Sequence, residues 1–171
     1  MVGAGAKHAL HHNTTKTTNM KLSNQVQELG SYIPKHETTN TAVSSATVGW
    51  QLAHTFKVIL YTINALKKSD PKAFKKKFSL LKMIIMGTGK VPRGKAPAPK
   101  MVLPNEEELS IEGIKEQFAL VQEGLAILAQ LPNDTHFPHP AFGDLRKKDS
   151  IRFMEIHTQH HLKIIRDMLS L

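Results

Sequence analysis

The stretch EIHTQHHLKII, residues 155–165, decides what kind of fold this chain adopts. Together with the residues on either side of it, the stretch places Phe153, His157, His161, Ile164 and Met168 on one side of a helix, three and four residues apart. That spacing has the period of an α-helix and predicts one over roughly Lys147 to Leu169, with two imidazoles one turn apart on its inner face. A helix with such a face needs other elements to cover it.

Upstream, Asn105 followed by Glu106, Glu107 and Glu108 is a helix start, because asparagine caps free N–H groups and acids favour the positive end of the helix dipole. The helix it opens should run to about Leu131, with Leu109, Ile114, Phe118, Val121, Leu125 and Leu128 as apolar positions and Pro132 as its stop. Between these two helices THFPHPAFGDL reads as a structured loop, too rich in Pro and Gly for a regular element. A further helix is expected from about Ser45 to Lys68, with Trp50, His54, Val58, Tyr61 and Ala65 on one face. Pro71 suits the first turn of another, striped by Phe74, Phe78, Leu81 and Ile85 and ended by Gly87 and Gly89. Near the start, Leu22, Val26, Leu29 and Ile33 mark a short helix stopped by Pro34, and HETTNTAVSS follows as a loop. No stretch has the period of a strand, and no repeat of solenoid length occurs. The expected fold is all-α, most simply an antiparallel four-helix bundle with an extra short N-terminal helix. It forms one domain over residues 20–171, behind a disordered or tag-like extension over residues 1–19.

At 171 residues the chain can bury one core and is short for two. No apolar run approaches the ~20 residues of a membrane span, and the N-terminus lacks the apolar stretch of a signal peptide. A soluble, cytoplasmic protein with no membrane partner is expected. The absence of cysteine excludes disulfides, thiol nucleophiles and thiolate metal sites, so a metal must be held by histidines or carboxylates, and ten histidines are present. His8, His11 and His12, in the extension, are discounted as an incidental or tag-like cluster.

The formal net charge is +9, and its distribution is uneven. Between Lys67 and Lys100 stand eleven Lys or Arg and a single acid, Asp70, so this segment carries +10 and the rest of the chain −1. A solvated helix face and loop is the preferred explanation, with an anion-attracting rim or polyanion surface as the other; few aromatics are interleaved for bases to stack on. Within the segment GKVPRGKA, residues 89–96, has P-loop spacing at Gly89, Gly94 and Lys95. Ala96 stands where a P-loop needs a hydroxyl for Mg²⁺, and APAPK follows where a helix should open, so the stretch is a basic loop. Arg93 and Lys95 on it are candidates for attracting the carboxylates of an acidic substrate.

Buried neighbouring imidazoles require an explanation. Either they are neutral and hydrogen-bonded, or they bind a metal through both rings. A third ligand would favour the second, and His54, on the inward stripe of an earlier helix one turn after Trp50, is the best candidate. Three imidazoles leave coordination positions open, as catalytic metals require. His160 lies at the margin of the face and reads as an exposed helix histidine, the alternative being a group behind the ligands or a proton carrier. Trp50 reads as packing. Phe142 and His139, in HPAFG, are placed either to close over a metal pocket or, for Phe142, to cap the core.

The segments GWQLAHTFKVI, HPAFG and FMEIHTQHHLKII, in that order, resemble the DinB-like (DinB/YfiT-type) superfamily of four-helix bundles, and within it a branch without an assigned activity. In relatives the last helix often opens with a Thr-Pro-Glu-Glu-Trp type start, where this chain has LRKKDSIRF. The resemblance implies a divalent transition metal, nickel or zinc first and iron also suited, held by His54, His157 and His161. It implies a frequent homodimer, and a small-molecule substrate that in characterised relatives involves a low-molecular-weight thiol. The expected function is that of a metal-dependent enzyme, a thiol S-transferase or a hydrolase. The alternative is a non-catalytic helical binding protein that uses the basic 67–100 surface for nucleic acid or another polyanion.

Overall fold

The computed structural model describes residues 20–92 and 98–170. The 1–19 extension with its three histidines, and Arg93 and Lys95 of the basic loop, lie outside the described residues. The first helix, α1, covers residues 20–31 and buries Leu22, Val26 and Leu29. A 3₁₀ turn at Ile33–Lys35 follows, with Pro34 in its first positions. Helix α2 (Val48–Lys68) opens where Thr47 accepts the Trp50 N–H at 3.0 Å, and it is buried nearly all round over its first three turns. Leu52, Ala53, Phe56, Ile59, Ile63 and Leu66 are its core residues, whereas Tyr61, expected on the inner face, is 40% exposed.

Helix α5 (Ile111–Gln130) and helix α6 (Lys147–Leu169) enclose α2 from two sides. Contacts along the helices fix their directions. The antiparallel relation expected of the bundle holds between α2 and α6: Gln51 meets His161, Tyr61 meets Phe137 just before α6, and the Ser69 hydroxyl takes the His136 N–H. Between α2 and α5 the order is parallel, since Gly49 approaches Ile114, Phe56 packs on Phe118 and Ile63 covers Gly124. The crossover from Ser69 to Asn105 carries the chain back to the end where α2 began. Helix α1 lies along α6, with the Gln25 amide donating to the Glu155 carbonyl and Arg166 forming a two-pronged pair with Glu28.

Three local expectations are corrected. Pro71 opens only a 3₁₀ turn (Pro71–Ala73), and helix α3 spans Leu80–Thr88 after the Ser79 hydroxyl caps it. The segment between is held extended: Phe74 carries the Arg146 guanidinium over its ring at 3.7 Å, and the Lys75 N–H binds the Asp144 carboxylate at 2.7 Å. Of the expected stripe only Ile85 is buried; Phe78 is 77% exposed. Second, the helix begun at Asn105 is interrupted. Asn105 and Glu108 form a capping box on the short α4 (Glu106–Leu109), then Ser110 caps α5 through the Gly113 N–H. Third, the loop after α5 is a β-hairpin, β1 (His136–His139) paired antiparallel with β2 (Gly143–Arg146), whose turn uses Gly143 at φ +73°. Among the described residues, no helix is long and apolar enough to cross a membrane.

Candidate metal centre

His54 of α2 and His157 and His161 of α6 bring their ring nitrogens within 4.8 Å of one another. The antiparallel packing of two amphipathic helices is what joins residues a hundred positions apart. His54 and His161 are 4% and 6% exposed, and His157 is half-buried. The ring centroids lie 4.5 Å apart for His157 and His161, 4.9 Å for His54 and His161, and 5.2 Å for His54 and His157.

Two of the three rings have their tautomer fixed by an oxygen that can only accept. His54 Nδ1 donates to the Val102 carbonyl at 2.9 Å, and His161 Nδ1 donates to Gln51 Oε1 at 2.6 Å, while the Gln51 amide nitrogen is held by Ser44 Oγ at 3.2 Å. Both rings therefore present a bare Nε2 lone pair, the form in which imidazole ligates a metal. His157 Nε2 stands 3.3 Å from His161 Nε2, and its own Nδ1 is buried without a hydrogen-bond partner among the described residues. Ligand nitrogens in a tetrahedral zinc site with bonds of about 2.0–2.1 Å are separated by about 3.3 Å, so this pair already has the spacing of two ligands on one ion. The donor set and its orientation fit a divalent transition metal.

Electrostatics favour the same form. Burial holds His54 below the usual histidine range, against the opposing effect of its bond to the Val102 carbonyl. Burial depresses His157 and His161 further, and the neighbouring imidazoles add to the effect on both. Neutral rings are ligands and not cations.

The remaining candidates sort by position. Trp50 stacks on His54, with centroids 4.8 Å apart and planes 16° apart, so it fixes the ring from behind. His160 meets His161 edge-on at 5.1 Å and is outside the three-nitrogen group. His139 stacks on the buried Phe142 at 4.1 Å and meets Phe153 edge-on at 4.7 Å; Phe153 in turn lies 5.8 Å from His157. The His139 Nδ1 accepts the Ala141 and Phe142 N–H groups, both at 3.1 Å, which puts its proton on Nε2, and burial pushes it down to about 4. Phe142 thus belongs to an aromatic wall, shared with His139 and Phe153, beside the histidine cluster.

Two supporting groups escape sequence reasoning. Val102 contributes only a backbone oxygen, for which no side-chain signal exists. Gln51 had one signal, a polar residue three positions before His54 within an apolar helix. The carbonyl is held in place by the 3₁₀ turn Lys100–Val102 and by Lys57, which reaches the next carbonyl, of Leu103, at 3.0 Å and Glu108 at 2.6 Å.

A family model described as the DinB superfamily matches residues 27–165. The chain belongs to the DinB superfamily. No curated protein and no solved structure matches it. All three histidines fall within the DinB match, as do the hairpin and the crossover that supplies Val102.

Proposed function

We propose that this DinB-superfamily protein is a metal-dependent enzyme that uses His54, His157 and His161 to hold one divalent transition metal, and that its reaction is transfer involving a small thiol. The observation that carries the reading is the pair of Nδ1–H bonds, to the Val102 carbonyl and Gln51 Oε1, that leaves the Nε2 atoms of two buried rings unprotonated in a cluster with His157. Bound there, such an ion supplies Lewis acidity, lowering the pKa of a thiol or water at its open position. Val102 and Gln51 keep His54 and His161 from rotating away, and the Trp50 ring blocks one face of His54. Beside His157 stand Phe153 and, behind it, His139 with its proton on Nε2. That wall excludes water from one side and presents apolar surface to a substrate chain.

The reading is tested by loading the full chain with Zn²⁺ or Ni²⁺ and following loss of free thiol from a mixture of small thiols and alkylating or epoxide acceptors. Turnover that requires the metal and disappears in His54→Ala supports it. Absence of thiol consumption together with metal-dependent ester or amide hydrolysis would replace transfer by hydrolysis, and absence of both from the loaded protein would contradict the enzyme reading.

A further inference from the structure

We propose that α3 and the lysines beside it form a docking surface for an anionic lipid bilayer. Apart from Lys82, every residue of helix α3 from Leu80 to Met86 is apolar. Ile85 and Met86 turn toward the core, whereas Leu80, Leu81, Met83 and Ile84 face outward at 60%, 49%, 58% and 52% exposure, with Phe78 just before them at 77%. A helix that is hydrophobic all round is normally covered all round, and a contiguous exposed apolar patch marks an interface. The described residues pack against only one side. Lys82 on that side pairs with Asp149 of α6 at 2.7 Å, and the Ser79 hydroxyl reaches the Ala141 carbonyl of the hairpin at 3.4 Å, so the outer face is held outward.

Charge selects the occupant. Lys75, Lys76 and Lys77, all exposed, lead directly into Phe78, and residues 67–100 carry +10. A second copy docked face to face through α3 would set two such segments against each other. A nucleic acid would match the charge and leave the apolar residues without a partner. A bilayer with acidic headgroups meets both features, apolar side chains entering the interface while lysines remain at the phosphates. The proposal departs from the expectation of no membrane partner, which rested on the lack of a spanning segment; lying on a bilayer requires none. A homodimer through another face is unaffected.

The test is co-sedimentation of the full chain with vesicles of equal parts phosphatidylglycerol and phosphatidylcholine, against vesicles of phosphatidylcholine alone. Partitioning should be more than about tenfold stronger on the anionic vesicles and should weaken with salt. The double variant Leu81→Ser/Ile84→Ser and the triple variant Lys75→Ser/Lys76→Ser/Lys77→Ser should each lose most of it while keeping the wild-type circular dichroism. Failure to bind, equal binding to both vesicles, or binding that either variant leaves intact would overturn the proposal. So would a dimer that the double variant dissociates without any vesicle binding, which gives the face to a second copy. Salt-sensitive binding of single-stranded DNA with no vesicle binding would overturn it in favour of a polyanion surface.

Discussion

His54 and His161 are held by the same device, an Nδ1–H aimed at an oxygen that cannot donate, and the device makes the site sensitive to a residue that never touches the ion. Replacing Gln51 by Leu keeps the shape of the side chain and removes the acceptor from His161. The ring is then free to rotate or change tautomer, and the affinity for Zn²⁺, measured by competition with a chromogenic chelator, should fall about 10- to 100-fold with little change in fold. An unchanged affinity would mean that the bond does not orient the ligand. At this scale the sequence was informative about which histidines come together. The four-residue spacing of His157 and His161 and the inward position of His54 are side-chain patterns, visible in one dimension. The Val102 carbonyl, the Phe153 edge beside His157 and the His139 stack on Phe142 depend on how distant segments meet. Those contacts have no period.

At the scale of elements, helices with an uninterrupted apolar face were legible, and those governed by a single tertiary contact were not. Helix α6 follows its 3.6-residue pattern from Lys147 to Leu169. The stripe Phe74, Phe78, Leu81 and Ile85 has the same spacing, yet Phe74 is engaged by Arg146 and the next N–H by Asp144, which hold the backbone extended until Ser79. The hairpin was hidden for a related reason. In HFPHPAFGDLR no alternation is visible, and the turn is organised by the His139 ring accepting two backbone N–H groups. The break between α4 and α5 leads to a prediction. A Cβ on Gly113 would lie 2.2 Å from the Glu107 carbonyl oxygen, whereas one on Gly124 would meet side-chain methyls alone, the nearest being Ile63 Cδ1 at 3.2 Å. Gly113→Ala should therefore destabilise the protein in urea by about 1–3 kcal/mol. Gly124→Ala should be neutral or stabilising, helped by an alanine helix propensity about 1 kcal/mol better than that of glycine. Equal effects would contradict the close approach of Gly113 to the Glu107 carbonyl.

On the scale of the whole molecule, the long crossover between α2 and α5 does three things at once. It makes those two helices parallel, it delivers the Val102 carbonyl to His54, and it carries the excess positive charge and the outward face of α3. The all-α class and the bundle were legible because they follow from summed helix patterns. The direction of α5 was not, because it depends on the path of a connection whose sequence carries no such pattern. The central claim is that α2 and α6 together build one three-histidine metal site. Its most direct test is equilibrium dialysis of the full chain against Zn²⁺ and Ni²⁺ followed by elemental analysis, with His8, His11 and His12 changed to alanine in every sample to remove incidental capture. The account predicts about one equivalent of metal per chain, as one trio of open imidazoles allows, and its loss in His157→Ala. No bound metal, or the same content in His157→Ala as in its parent, would contradict it.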